Sequence, residues 1–465
     1  MDLCESLSTD ETFVNLFIQK CVAWGVSIVP NPKAPGEIRV ISASLIPREF
    51  SKDLYERIVS VNELFNRLID GISLDLVWLT EAHREVIKCD LFTGSLVALA
   101  NRVYAVKSVS DDVRLHLLRN DFLPTDGDTR ILQVEINTIS AGFGGVLESL
   151  SLVHASNRSQ FYPDLVGELP QNTPCTEFAA AIAMALAARD ALCKTVLFVV
   201  EEGERNVNDQ FALENKLLAN HGIFVVRKTL AQISLVGNIV EGNNNLVLEH
   251  NDGQVVVGLV YFRSGYDPKH YPTQSEWNAR ELIERSNAIK CPSVLTQLAG
   301  TKKVQQLWWT ANLGEFGLSV EEIAEIKSVF AKQADPSIDE MTVKSAIENT
   351  DNWVLKPQRE GGGNNLYGDL LVKTLTTGTP TELAQFVLME RMNPTPKPAL
   401  VLEAGKKAPT IIQNGVAEVG IYSYYIPKLN INKVCGHLVR TKGKDVREGG
   451  VNAGFAALDT LLLVD

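Results

Sequence analysis

Apolar residues recur at helical spacing through residues 11–20, and between residues 52 and 70 Leu54, Ile58, Val61, Leu64, Leu68 and Ile69 trace one helix face. Residues 30–35 hold a surface turn between prolines. Residues 92–103 fit either a helix or a buried core segment. Residues 1–125 therefore read as mostly helical, and Arg119 reads by itself as a surface charge. From Ile131 to Asn137 the pattern changes to strict alternation. Leu132, Val134 and Ile136 take one strand face, and Gln133, Glu135 and Asn137 take the other. A carboxylate and an amide at i and i+2 can meet one cation, although an acid on the wet face of an edge strand reads the same way. Small residues at 138–145 form a loop open to close backbone approach. Thr173 and Pro174 then open an alanine-rich helix, a composition suited to close packing.

A smaller βαβ-like unit begins at Thr195. It reads as a strand at 195–200, a polar loop at 202–210, a helix at 211–219 and a second strand at 222–226. Open parallel sheets place ligands at the carboxyl ends of their strands, so Arg205, Asn206 and Gln210 are site candidates. Residues 246–262 read as a hairpin turned at 251–253. Its second strand runs into Arg263, Ser264, Gly265 and Tyr266, where an arginine is placed to clamp a carboxylate. A helix is expected over 277–288. Lys302 follows Gly300 as a candidate phosphate-facing lysine. These segments suggest a substrate-binding domain at 195–300, set between an N-terminal part of the body, 1–194, and a body and lid at 301–465.

In the last region Ser319 with Glu322, and Thr379 with Glu382, form capping boxes. Residues 386–390 read as a strand suited either to an adenine hinge or to plain core. Glu418 lies on another strand, Arg440 and Lys442 share one strand face, and residues 443–454 form a glycine-rich loop. The centre of the pattern is residues 353–368. A short apolar strand delivers Lys356, and Glu360 precedes the consecutive glycines Gly361, Gly362 and Gly363. Glycines let backbone N–H groups approach an anion, the lysine adds charge, and the carboxylate suits a hard cation. A nucleotide triphosphate site fits this set, and a plain glycine turn is the alternative.

The chain has 465 residues, enough for two or three domains, and 45% hydrophobic with 22% charged residues is ordinary for a globular enzyme. A formal net charge of −12 argues against general nucleic-acid binding. Its 7 cysteines are widely spaced without a C-x-x-C pair, the usage of a reducing compartment. The acidic start and the lack of a long uncharged apolar run point to a cytoplasmic protein without a membrane partner. There is no P-loop, H-E-x-x-H or G-x-S-x-G, and the 7 histidines are scattered, so neither a zinc site nor a serine triad is expected.

Several segments together resemble the eukaryotic-type glutathione synthetases. They are VEINTIS at 134–140, ERN at 204–206 with Gln210, YFRSGY at 261–266, QLAGTKKVQQ at 297–306, KPQREGGGNNLY at 356–367 and HLVRTK at 437–442. The resemblance implies an α/β ATP-grasp fold with an inserted α/β substrate-binding domain, a lid with glycine-rich loops, and a homodimer. It implies ligation of γ-glutamylcysteine to glycine, with ATP as co-substrate and two Mg2+ per subunit, through an acyl phosphate. Glu135, Asn137 and Glu360 match the metal ligands. Lys302, Lys356, Glu360, the glycines at 361–363, Asn364, Asn365, Tyr367, Met389, Glu390, Glu418, Lys442 and Glu448 match the nucleotide contacts. Arg119, Ser140, Arg205, Asn206, Gln210, Arg263, Tyr266, Arg440, Val451 and Asn452 match the substrate contacts. Arg440 and Lys356 are the expected catalytic groups, acting by charge. The chain departs from the animal pattern of that family at Gly142, where a second serine is common, at Glu448, where aspartate is usual, and at Asn452, where alanine is usual. The alternatives are an enzyme that uses β-alanine and a binding protein that keeps the fold without turnover.

Overall fold

The computed structural model describes residues 3–34, 36–105, 112–125, 127–190, 192–250, 253–360, 363–446, 450–451, 454 and 456–465. Its backbone is a seven-stranded sheet in the order Lys397–Leu402, Ala43–Ser44, Ala457–Asp459, Ile431–Gly443, Thr410–Ile426, His116–Thr125, Arg130–Asn137. The helix Lys52–Ser73, capped by the Ser51 hydroxyl, covers one face. Its expected apolar stripe is buried there against Leu118, Phe122, Val419, Ile421 and Val439. The other face packs Tyr422, Tyr424 and Leu438 against the helices Gly144–Phe161 and Pro174–Asp190. Further along the same strands that face turns charged, and there the site lies.

The N-terminal region is less helical than its periodicity suggests. The open choice at 92–103 resolves to a helix, Leu91–Tyr104, but His116–Thr125 is an interior strand of the sheet. Arg119, Asn120 and Asp121 interrupt its apolar pattern, and all are buried. The expected alternation at 131–137 is also corrected. Asp121 pairs with Glu135 and Phe122 with Gln133, so Val134 is an extra residue, a β-bulge. Gln133 is thereby turned inward, bonded to Asn120 at 3.2 Å and Gln305 at 3.1 Å, while Val134 and Glu135 both border the cavity.

A second sheet is parallel, ordered Ile289–Cys291, Leu259–Phe262, Thr195–Val199, Phe224–Lys228, and the helix Val207–His221 links its last two members. The hairpin expected over 246–262 stops early. Leu246–His250 pairs with Gly253–Val257, with residues 251 and 252 of the expected turn outside the described residues, and Leu259–Phe262 joins the parallel sheet instead. The break is at Gly258, where a Cβ would lie 2.5 Å from Leu186 Cδ2 and 2.7 Å from Cys193 Sγ. A third, antiparallel sheet of Gln333–Ala334, Phe386–Glu390 and Trp353–Pro357 has its own small core around Leu355, Leu371 and Leu388. Both expected capping boxes are present, at Ser319–Glu322 and Thr379–Glu382. Among the described residues no helix is long and apolar enough to cross a membrane.

Candidate active site

The three sheets border one cavity of about 850 Å3. A larger depression of about 1210 Å3, edged by Leu74, Val77 and Phe316, gathers none of the predicted residues.

On the side of the small sheet, Lys356 leaves the strand Trp353–Pro357, and Met389 and Glu390 end its neighbour Phe386–Glu390. Met389 packs with Val354 and Ala331 beside Leu132 and Tyr367, an apolar slot open to the cavity. The segment after Lys356 is closed by mutual backbone bonds between Leu355 and Leu366 at 2.9 and 3.0 Å. Arg359 anchors its base with two 2.9 Å bonds to Asp90. Asn364, Asn365 and Tyr367 line the cavity. Gly363 takes φ +79°, which favours glycine, and Gly361 and Gly362 lie outside the described residues.

Lys302 begins the helix Lys302–Leu307, whose cap is Thr301. Its Nζ lies 3.1 Å from Glu360, 3.2 Å from Glu135 and 2.8 Å from the Arg359 carbonyl. Burial opposes its charge, but Glu135 and Glu360 outweigh that and hold its pKa above the ordinary lysine value. Burial pushes the Lys356 ammonium down, with Glu135 opposing. For Glu135 burial acts upward, yet Lys302, Lys356 and Arg440 together hold it down at about 2. Burial wins at Glu360, whose pKa is raised against the pull of Lys302.

The sheet face supplies Glu418 and Arg440, which pair directly across neighbouring strands, and Lys442 two residues on. Arg440 donates to Glu418 and, at 3.0 Å, to Asp121. Asn137 gives its Nδ2 to the Arg119 carbonyl at 3.3 Å and to Asp121 at 3.0 Å, which leaves Oδ1 as its acceptor. Among the described residues no group of three or more His, Cys, Asp or Glu is placed to hold a metal. Glu135 and Glu360 converge on Lys302, and Asn137 lines the same cavity, so the donors on offer there are oxygens of the kind hard cations take. That set is too small to enclose an ion without oxygens from a bound ligand.

At the carboxyl ends of the parallel strands the cavity is lined by Arg205, Asn206, Arg263 and Tyr266. Arg263 is buried and paired with Asp209 at 3.2 Å, and Asp209 also accepts from the backbone N–H of Phe143 and Gly145, each at 2.8 Å. Among the described residues the Arg263 Nε is buried without a hydrogen-bond partner. Ser140, at φ +53°, donates to the Arg263 carbonyl at 3.1 Å. A Cβ at Gly142 would meet Arg263 Nη1 at 2.9 Å, so a serine there would displace the guanidinium. Arg119 is buried on Asp121 rather than exposed. Val451 lines the cavity, and Glu448 and Asn452 lie outside the described residues. Gln210 is absent from the cavity wall, and its side-chain oxygen accepts from Arg227. Sequence reasoning missed Asp121 and Asp209. Asp121 had a signal, an opposite charge two residues from Arg119 on the same strand face. Asp209 had none beyond its place in the polar loop.

A family model for the ATP binding domain of eukaryotic glutathione synthase matches residues 9–463. The chain is 36% identical over 433 residues to the chloroplastic glutathione synthetase of Solanum lycopersicum, covering 90% of this chain and 77% of that one. It is 36% identical over 458 residues to the glutathione synthetase of Homo sapiens, covering 95% and 94%. With that of Xenopus laevis it shares 34% over 487 residues, covering 100% of both. Among solved structures, the apo form of a glutathione synthetase-like effector from Globodera pallida matches at a TM-score of 0.76 and 19% identity, covering 100% of this chain and 98% of that one. That likeness shows the α/β ATP-grasp-like fold. With the family model spanning nearly every residue and relatives above 30% identity along their length, the chain belongs to the eukaryotic-type glutathione synthetase family.

Proposed function

We propose that this protein joins γ-L-glutamyl-L-cysteine to glycine with consumption of ATP, giving glutathione, ADP and phosphate. The observation that carries the reading is one cavity lined both by Lys302, Lys356 and Lys442 and by Arg119, Arg205 and Arg263. The first set suits polyphosphate, and the arginines suit the carboxylates of a dipeptide. A carboxylate is a poor electrophile. Transfer of the γ-phosphoryl group of ATP to the cysteinyl carboxylate would create an acyl phosphate with a good leaving group. The glycine amine then forms the amide bond, and phosphate departs with the C–O bond electrons. Arg440 and Lys356, which line this cavity, would stabilise charge that develops in both steps. Glu135, Glu360 and the Asn137 oxygen would hold Mg2+, two ions per subunit in this reading, which offset phosphate charge when bound. We further place the protein in the cytoplasm as a homodimer without nucleic-acid or membrane partners.

The test is incubation with Mg-ATP, γ-glutamylcysteine and an equal mixture of glycine and β-alanine. ADP is followed, and the tripeptides are weighed by mass spectrometry. Glutathione as main product is expected, because one methylene costs about 1–3 kcal/mol of discrimination in a fitted pocket. A dominant heavier peptide overturns the glycine assignment, and absence of substrate-dependent ADP release overturns the ligase reading in favour of a binding protein.

A further inference from the structure

Asp121 touches three residues that the site needs. It lies fully buried in the strand His116–Thr125. Its Oδ1 accepts from Arg119 Nε at 2.7 Å and its Oδ2 from Arg119 Nη2 at 3.1 Å. The same Oδ2 accepts from Arg440 Nη2 at 3.0 Å and from Asn137 Nδ2 at 3.0 Å. These groups arrive by three routes. Arg119 is two residues away on the same strand face. Asn137 comes from the adjoining edge strand, where it pairs with Arg119. Arg440 reaches over from the far side of the strand Thr410–Ile426.

The sheet keeps space for this junction. Gly420 pairs directly with Asp121. A Cβ there would lie 2.5 Å from Asp121 Oδ1 and 2.9 Å from Arg119 Cδ. Gly420 is not among the positive-φ glycines, so it is the space, and not the backbone, that requires glycine. The chemistry is equally directional. A carboxylate only accepts hydrogen bonds, so Asn137 must present its NH2 to Asp121 and keep its oxygen for a cation. Without the carboxylate two guanidinium groups would face one another out of water, which is costly.

We propose that Asp121 is the positioning residue that holds Arg119, Arg440 and the Asn137 amide in one geometry, joining the dipeptide pocket to the phosphoryl-transfer centre. The proposal rests on the ligase reading above. Loss of a supporting partner of this kind costs about 10–100-fold. Asp121→Asn is therefore expected to lower kcat/KM for γ-glutamylcysteine by about 10–100-fold while KM for ATP stays within about twofold. Calorimetric titration of γ-glutamylcysteine into the protein without ATP or Mg2+ should show binding weakened about tenfold or more. Gly420→Ala pushes the carboxylate without changing any charge, so it should give the same pattern in milder form, and it decides the matter if Asp121→Asn does not fold. A folded variant with wild-type dipeptide binding and wild-type kcat/KM overturns the proposal. So does an equal rise in both KM values, which marks a general loosening. If the wild-type protein releases no substrate-dependent ADP, it is the ligase reading that fails, and the calorimetric comparison still decides the role of Asp121 in holding the dipeptide.

Discussion

Glu135 and Glu360 share the ammonium of Lys302 and both feel Lys356, yet they shift in opposite directions: Arg440 also pulls Glu135 down, whereas at Glu360 burial dominates and the charge of Glu135 adds to it. A further cation beside Glu360 would favour its ionised form. Glu360→Gln keeps its shape and is expected to lower kcat by about 10²-fold or more at saturating Mg2+. Steady-state kinetics check this, and a variant within twofold of wild type would reassign Glu360 to the scaffold. Arg263→Ala should raise KM for the dipeptide more than for ATP, by roughly 10–150-fold, the worth of a charged bidentate contact. It also strands the buried Asp209, so a loss of about 3–5 kcal/mol in unfolding free energy is expected beside the kinetic effect. Measuring both KM values and a urea midpoint on one preparation separates the two. Arg119 shows what a single residue hides. Alone it resembles a surface charge, and only its burial on Asp121 reveals otherwise.

Helix starts were legible because caps are local. Ser319 with Glu322 and Thr379 with Glu382 need only their own turn to form. Some strand ends were equally legible, as at Phe386–Glu390, but registers and breaks were not. The bulge at Val134 depends on how the edge strand meets His116–Thr125, and the break at Gly258 depends on Leu186 and Cys193. Gly258→Val should therefore destabilise the protein by about 1–3 kcal/mol through overpacking. The expected result is a lower urea midpoint. Gly253→Ala, where an added Cβ meets nothing within 4 Å, should leave it unchanged. Equal midpoints for the two variants would mean that the crowding at 258 relaxes freely.

Among the buried histidines, His83, His154 and His437 lie where no local pattern marks them. His83 bonds Leu79 and Thr301, His154 bonds Thr460 and Ser44, and His437 receives the Leu461 N–H. Burial holds His83 and His154 down at about 4, and burial with His154 nearby holds His437 at about 3. In the unfolded chain each binds a proton near pH 6.5, roughly the ordinary value. Between these values the unfolded state carries more protons, so stability is full above about pH 6.5 and falls as the pH drops toward 4. Each group contributes up to about 1.4 kcal/mol per pH unit. Burial pushes the Asp459 carboxyl up to about 7, which acts in the opposite sense over the same range, so the readout is a comparison: urea midpoints at pH 7 and pH 5 are measured for wild type and His154→Gln, and the variant should lose less stability, or gain more, on going to pH 5. The same pH dependence in wild type and His154→Gln would contradict a neutral buried His154.

The sequence by itself determined the chemistry on offer and the family. The strand that delivers Lys356, the acid before the glycines, the paired Arg440 and Lys442 and the arginine leaving the 259–262 strand were all readable, since each depends on residue type and short spacing. Only the tertiary structure decided which of these meet. Gln210 belongs to a matching motif but turns to Arg227, whereas Asp121 belongs to none of the motifs and joins Arg119, Arg440 and Asn137. The reason is range. Caps, turns and alternation are set within a few residues, whereas burial, register and the charge felt at a carboxylate are set by strands hundreds of positions apart.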